Sequence, residues 1–209
     1  MKKDRDTMQT FIRHGTEDCR VCVVGDVMLD KYFYGEVTRI SPEAPVPVTR
    51  VVKTKETLGG AANVAHNLAL LGCRTTVVGY IGGDYHGESL LARFKKRGIG
   101  VGGLVKTAAP TTTKLRVIGG HQQMMRLDFE ETGPVPEREE ARLIHKAEKS
   151  LAAGAQAVIL SDYGMGTCTA AVCAAVITAA HAQGVPVVVD PKGGDWGRYR
   201  GADYITPNL

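Results

Sequence analysis

The apolar positions of the chain fall into short continuous runs that alternate with amphipathic stretches. The runs are rich in valine and isoleucine and predict buried strands at 20–27, 75–82, 155–162, 185–190 and 202–206. The amphipathic stretches predict helices at 60–72, 84–98, 136–154 and 169–184. Strands that alternate with helices predict a mostly parallel sheet covered on both faces, which is an α/β fold.

Two segments interrupt this alternation. Residues 31–60 contain three prolines and apolar positions at a period of two. Residues 111–130 predict a hairpin that turns at Gly119 and Gly120. Together the two segments predict a small antiparallel sheet that projects from the α/β body. We call them the lid, because such appendages commonly cover a site or form an interface.

Composition and charge exclude several classes of function. The 209 residues, 44% of them hydrophobic, can form one large core, so we predict one domain over residues 1–209. The 26 basic and 22 acidic residues are dispersed, and a net charge of +4 is too weak to indicate nucleic-acid binding. The N-terminal residues have no apolar h-region, so we expect no secretory signal, and the longest apolar run is too short to span a membrane. Five dispersed cysteines suit a reducing compartment. We therefore expect a cytoplasmic protein that binds neither nucleic acid nor membrane.

Two motifs that often bind ligands, C-x-x-C and G-x-G-x-x-G, occur here outside the secondary-structure context that such binding requires. Cys19 and Cys22 form C-x-x-C, but they lie in a strand pattern and no second pair follows at metal-ligand spacing. Gly98, Gly100 and Gly103 satisfy G-x-G-x-x-G, but they follow a predicted helix and precede a strand, the reverse of a dinucleotide site. Neither motif indicates a site, and a nicotinamide enzyme is the least favoured class.

The remaining polar residues favour a sugar ligand. Asp26 and Asp30 lie at the carboxyl end of the first strand, where open α/β sheets bind ligands, and carboxylates accept hydrogen bonds from vicinal hydroxyls. On this segment alone, a cap of the following turn explains Asp26 equally well. Gly59 and Gly60 precede a helix that carries Asn63, and they would let a ligand approach free backbone N–H groups.

Alternating charges mark the second lid segment. Lys114 and Arg116 share one face of its first strand, and Arg126 and Asp128 share one face of its second. A fork of cationic groups there could hold a phosphate, although alternating charges also mark the solvated face of a strand. Both explanations stay open from these residues alone.

Longer motifs give a resemblance. In order along the chain they are VVGDVMLDKYFYGEVTRISPEAPVPV, LGGAANVAHNLALLG, VGYIGGDYHGE, TTTKLRVIGGHQQMMRLDFE, LSDYGMG and VVVDPKGGDWGRYRGADYITPN. This series resembles the ribokinase-type carbohydrate kinases. More narrowly, it resembles the D-glycero-β-D-manno-heptose 7-phosphate kinases of bacterial ADP-heptose synthesis.

The resemblance implies a reaction and partners. The reaction is ATP-dependent phosphorylation of the anomeric hydroxyl of heptose 7-phosphate to the 1,7-bisphosphate, with Mg²⁺, on the way to the lipopolysaccharide core. The lid would cover the sugar and pair with the lid of a second protomer in a homodimer.

The resemblance also implies a set of site residues, taken over position by position. The residues expected at the sugar hydroxyls are Asp26, Asp30, Gly59, Gly60 and Asn63. The residues expected at the sugar phosphate are Arg116 and Arg126, both on the lid. The residues expected near the phosphates and magnesium of ATP are Lys192 and Asn208.

The sequence also departs from the family pattern. Met165 stands where a lysine is expected, and the N-x-x-E stretch stops after Asn208 and Leu209. D-T-x-G-A-G-D, which would hold the catalytic base and the anion hole, does not occur. We therefore expect the C-terminal part of the fold to be missing, assign no catalytic residue, and expect no turnover by the chain alone. Turnover would require a substitute base such as Asp162 or Asp195.

Two other functions remain. One is a different sugar kinase of the family, such as a ribokinase or a fructokinase. The other is a non-catalytic sugar-phosphate-binding protein that dimerises through its lid.

Overall fold

The centre of the molecule is a parallel sheet of six strands. A computed structural model describes residues 15–131 and 133–207. Within them, the strands of this sheet are β1 Arg20–Gly25, β4 Arg74–Gly82, β5 Gly100–Thr107, β8 Ala157–Ser161, β9 Val187–Asp190 and β10 Tyr204–Ile205. Neighbouring strands run parallel in the order β10-β9-β8-β1-β4-β5. The predicted α/β fold is confirmed.

Helices cover both faces of the sheet. Their bounds are α1 Ala61–Leu70, α2 Tyr85–Lys96, α3 Glu137–Ala152 and α4 Ala170–His181. The side chains of Val21 and Val23 pack in one core cluster with α1 and α2, whereas those of Cys22 and Val24 pack in the other with α3 and α4. Because both faces of β1 are buried, its sequence is a continuous apolar run rather than an alternating one.

Helix ends lie where the sequence predicts them. The Asp84 carboxylate accepts a hydrogen bond from the Gly87 amide at 2.8 Å and caps the start of α2. Gly98 follows the end of this helix with a positive φ of 67°, a conformation that favours glycine. No helix among the described residues has the length and apolar character that crossing a bilayer requires.

The lid is a four-stranded sheet, but it is not antiparallel throughout. Its strands are β2 Val27–Ile40, β3 Pro47–Gly60, β6 Thr113–Gly119 and β7 Gln122–Phe129, in the order β3-β2-β6-β7. Each hairpin is antiparallel, whereas the central pair β2 and β6 is parallel. The prediction of an antiparallel sheet is therefore wrong at its centre. The physical reason is that β2 and β6 follow the parallel strands β1 and β5, so both leave the body at the same edge and in the same direction.

Glu56 joins the lid to the body. Its carboxylate, on β3, pairs with Lys31 of β2 at 3.2 Å and with Arg93 of α2 at 2.6 Å, and accepts a hydrogen bond from Ser89 at 2.7 Å. Burial raises the pKa of Glu56, but the hydrogen bonds from Ser89, Arg93 and Lys31 outweigh it and bring the pKa to about 2. The joint therefore depends on an ionised carboxylate.

Replacing Glu56 by glutamine should lower the free energy of unfolding by about 2 kcal/mol near neutral pH, because Lys31 and Arg93 lose their shared anion. The folded pKa lies below the ordinary value of 4.5, so this contribution is complete above that value and is lost as the pH falls towards about 2. Urea denaturation of both proteins near neutral pH and at about pH 3 should show the difference shrinking on acidification.

Glu36→Gln is the matched control. Glu36 pairs with Arg50 on the same hairpin, but its side chain is 56% exposed. Its loss should cost less than about 0.5 kcal/mol. Equal losses for the two variants, or a loss at Glu56 that does not change with pH, would contradict the role of the buried carboxylate.

Candidate functional site

A cavity lies where the lid meets the carboxyl edge of the parallel sheet. Its volume is about 540 Å³. Seven of the nine residues in the predicted site set line it: Asp30, Gly59, Gly60, Asn63, Arg116, Arg126 and Lys192. Two residues of the predicted set are not among them, because Asp26 is buried elsewhere and Asn208 lies outside the described residues.

The Asp26 carboxylate is buried and hydrogen-bonds the backbone of its own chain rather than facing the cavity. The residue is 2% exposed, and its two carboxylate oxygens accept hydrogen bonds from three backbone amides. The donors are Tyr163 at 2.7 Å, Met165 at 3.1 Å and Thr167 at 3.0 Å. We therefore correct the assignment of Asp26 to the sugar hydroxyls. Of the two explanations left open by the sequence, the structural one agrees with this geometry, since the carboxylate fixes the loop that follows β8.

Asp30 lies in the cavity wall and is paired with Arg116. The Arg116 guanidinium donates to Asp30 Oδ1 at 2.5 Å and stacks over the Tyr32 ring at 5.3 Å. Burial lowers the pKa of Arg116, but the bond to Asp30 outweighs it and the pKa is raised. Within the described part of the chain, Asp30 Oδ2 accepts no hydrogen bond. This oxygen is an acceptor that a ligand hydroxyl can reach.

Two glycines make room for this carboxylate and open the start of α1. A Cβ atom at Gly59 would overlap Asp30 Oδ2, and one at Gly60 would overlap the Asp26 carbonyl oxygen. Gly60 also has a positive φ of 53° and precedes α1, whose first turn has no side-chain cap and no acidic residue. The positive end of the helix dipole is therefore available to ligand oxygens next to Asn63.

The other cations that line this cavity from the lid, Lys114 and Arg126, are already paired. The Arg126 guanidinium donates to Asp128 at 2.9 Å. Lys114 lies 3.3 Å from Asp128 and 3.0 Å from Glu130. The lid side of the cavity is consequently a network of alternating charges rather than a patch of free positive charge.

The side of the cavity opposite the lid contains Lys192 and the loop after β8. The Lys192 amide donates to the Tyr199 hydroxyl at 3.3 Å, and this hydroxyl donates to Asp162 at 2.5 Å. Asp162 is 4% exposed and also accepts from the Gly164 amide, so its carboxylate is not free to act as a base. Burial raises the pKa of the neighbouring Asp190, and the charge of Asp162 raises it further.

Sequence reasoning missed Tyr163, which lines the cavity. Met165, noted in the sequence only as a departure from the family pattern, lines it on the same loop. The signal was present in the quoted motif LSDYGMG, which follows a predicted strand at the ligand-binding edge. Asp195, the other candidate base, accepts a local bond from the Gly197 amide and does not line this cavity.

Comparison with known proteins decides the family. The pfkB family of carbohydrate kinases matches residues 19–209. The chain belongs to this family. This assignment confirms the resemblance drawn from the motifs.

Two curated relatives show how much of a longer protein the match covers. The D-beta-D-heptose 7-phosphate kinase of Bordetella bronchiseptica is 46% identical over 189 residues, which are 90% of this chain and 59% of that protein. The bifunctional protein HldE of Hahella chejuensis is 48% identical over 194 residues, which are 92% of this chain and 39% of that protein. The chain thus spans about three fifths of the first relative and about two fifths of the second.

Solved structures agree on the fold. Phosphofructokinase-2 of Escherichia coli superposes with a TM-score of 0.66 at 19% identity, over 91% of this chain and 61% of that one. The microbiome-derived acarbose kinase Mak1 gives 0.64 at 20% identity, over the same shares. At this identity the likeness shows the fold alone, and it confirms the predicted ribokinase-like architecture.

Replacing Asp26 by asparagine should lower the free energy of unfolding by about 3 kcal/mol, because one oxygen then remains for three buried donors. Chemical denaturation measures the loss, and amide hydrogen exchange should accelerate at Tyr163, Met165 and Thr167. Asp18→Asn is the control, since the Asp18 side chain is 90% exposed. An Asp26 variant as stable as the wild type that had lost only ligand binding would return Asp26 to the ligand site.

Proposed function

We propose that this chain forms the sugar-binding part of a heptose 7-phosphate kinase. The reaction is transfer of a phosphoryl group from ATP to the anomeric hydroxyl of D-glycero-β-D-manno-heptose 7-phosphate. The observation that carries the proposal is the 46% identity to a D-beta-D-heptose 7-phosphate kinase over 90% of the chain. Support comes from the cavity, since four of the five residues expected at the sugar hydroxyls line it together: Asp30, Gly59, Gly60 and Asn63. The product would enter ADP-heptose and lipopolysaccharide synthesis in the cytoplasm.

Asp30 is the main sugar contact in this proposal. Its Oδ2, which accepts no hydrogen bond within the described part of the chain, accepts one from a sugar hydroxyl, while Arg116 holds Oδ1. Gly59 and Gly60 let the sugar approach the backbone at the start of α1, and the Asn63 amide supplies a donor and an acceptor. These residues bind and orient the sugar.

ATP and Mg²⁺ belong to the proposal through the family. Lys192, which lines the cavity on the side opposite the lid, would contact the ATP phosphates in this proposal, and the corresponding role of Asn208 rests on the resemblance alone. Among residues 15–131 and 133–207, no three His, Cys, Asp or Glu side chains come together as a metal site. Met165 lines the cavity where the resemblance would have a lysine, so one cation fewer faces the nucleotide.

We propose further that the protein forms a homodimer through the lid. Nine apolar side chains of the lid are exposed. They are Val37, Ile40, Val46, Val51, Val52, Met124, Met125, Leu127 and Phe129. An exposed apolar sheet is typical of an interaction surface, and a twofold axis would let two lids cover one another.

Binding of the sugar phosphate tests the main proposal. Heptose 7-phosphate should bind more tightly than fructose 6-phosphate in calorimetry, and Gly59→Ala should weaken binding at least about tenfold because the new Cβ displaces the Asp30 carboxylate. Gly102→Ala is the matched control, since a Cβ at Gly102 meets open space.

Two results would contradict the main proposal. Tighter binding of fructose 6-phosphate would point to another sugar kinase of the family. Wild-type affinity in the Gly59 variant would remove Asp30 from the sugar site.

Substitutions that introduce positive charge into the expected interface test the dimer. Val52 and Met125 are 57% and 55% exposed, and replacing both by lysine should shift the protein from dimer to monomer in sedimentation velocity, because like charges would face each other. Leu70→Lys, at a residue 72% exposed outside the lid, should leave the dimer intact. A wild-type monomer at high concentration would refute the dimer.

A further inference from the structure

A second cavity lies beside the first. Its volume is about 370 Å³, and it shares Asp30 and Asn63 with the cavity described above. The remaining polar wall is formed by Tyr32, Lys55, Thr57, His66, Asn67 and Arg97. We call it the basic cavity. Since the two cavities have two wall residues in common, one ligand can extend from the first into the second.

Four elements build the basic cavity, and β2 contributes Asp30 and Tyr32. Lys55 lies on lid strand β3, His66 lies on α1, and Arg97 follows the last residue of α2. Asn63, His66 and Asn67 are three and four residues apart, so they share one face of α1. The Arg97 guanidinium donates to the Arg93 carbonyl at 3.2 Å, which anchors one nitrogen and leaves its other donors for a ligand.

The charges of the basic cavity differ from those of the first cavity. In the part of the chain that the structure describes, Lys55 and Arg97 form no ion pair. Among the residues that the structure describes, Asp30 is the only carboxylate in the wall, and Arg116 already pairs with it. Within that part of the chain, Lys55 and Arg97 therefore face the space without a compensating anion.

His66 adds a donor or acceptor to this wall. Burial lowers its pKa, and the nearby charge of Arg97 lowers it further, so the imidazole is neutral near neutral pH. A neutral imidazole donates from one nitrogen and accepts at the other. The amide of Asn67 and the hydroxyl of Thr57 supply further hydrogen-bonding groups.

The lid arginines are less suited to a phosphate. A phosphate dianion at Arg116 would have to displace Asp30 or lie against it. At Arg126 it would meet Asp128. Two like charges in contact are unfavourable, so an incoming dianion gains less there than beside two unpaired cations.

We propose that the basic cavity receives the phosphate group of the sugar phosphate, with Lys55 and Arg97 as its cationic contacts. The inference rests on the proposed function and deepens it. The sugar hydroxyls contact Asp30 in the first cavity. The carbon chain of the sugar extends past Asn63, so that its phosphate lies between Lys55 and Arg97. The basic cavity thereby selects a phosphorylated sugar over the free sugar.

The test compares heptose 7-phosphate with unphosphorylated heptose in calorimetry. Arg97→Gln and Lys55→Gln should each weaken binding of the phosphorylated sugar by about tenfold, the usual effect of losing a charged hydrogen bond. Binding of the free sugar should change by less than about twofold, because no phosphate is present. Lys95→Gln on α2 and Lys53→Gln on β3 remove the same charge outside the cavity and should leave both affinities unchanged.

Arg126→Gln supplies the opposing outcome. A loss of affinity confined to Arg126→Gln, with the Lys55 and Arg97 variants binding like the wild type, would place the phosphate at Arg126 and overturn the inference. An equal loss for phosphorylated and free sugar in the Arg97 variant would also overturn it. Lys55 is exposed on a strand, so its variant stays informative even where a thermal melt shows that Arg97→Gln is destabilised.

A separate titration distinguishes failure of the inference from failure of the proposed function. If the wild type bound neither heptose ligand, the proposed function would fall. Inorganic phosphate would then serve as the probe of the basic cavity. Phosphate binding that is lost in Lys55→Gln and Arg97→Gln would support an anion site there, and binding that persists in both would overturn it.

Discussion

The buried residue Asp26 holds together the three segments that form the site. Its amide donates to the Ser161 carbonyl at 3.1 Å, and its carbonyl accepts from the Ala61 amide at 2.9 Å. Its carboxylate binds the backbone of the loop after β8. The end of β1, the start of α1 and this loop are thus connected through one residue. A carboxylate with several backbone donors is well compensated for its burial, which makes the arrangement rigid.

This rigid centre has a different role from the lid. The lid brings Asp30 and Arg116 to the cavity on adjacent strands, and Glu56 fixes the base of the lid to α2. The Asp30 carboxylate in the cavity wall is therefore supported from two sides. Gly59 completes the arrangement, because any larger residue would occupy the place of that oxygen.

The two cavities differ in whether their cationic side chains are paired with carboxylates. The first contains Arg116, Arg126 and Lys114, but carboxylates already compensate them. Such a wall suits hydroxyl groups, which exchange donors and acceptors without adding charge. In the second, Lys55 and Arg97 have no acidic partner among the described residues, which suits an anion. A molecule with hydroxyls at one end and a phosphate at the other matches this division.

Much of the body could be predicted from sequence, because its signals are local. The apolar runs of β1 and β4 and the caps at Asp84 and Gly98 each depend on a few neighbouring residues, and the structure has them where predicted. The assignments of Arg116, Arg126 and Lys192 rested on the family resemblance, whereas Asp30, Gly59, Gly60 and Asn63 were also indicated by short motifs near the carboxyl edge of the parallel sheet.

Tertiary structure decided the features that depend on residues far apart in the chain. The parallel pairing of β2 and β6 follows from where β1 and β5 end in space, which no local pattern encodes. Whether Asp26 binds a ligand or the backbone depends on a loop 137 residues later. The basic cavity likewise brings together Lys55 from a strand, His66 from a helix and Arg97 from the end of a second helix. These three residues form no sequence motif with one another. Their chemistry depends on which charges find partners after folding, and pairing of that kind is a property of three-dimensional distance, not of sequence order.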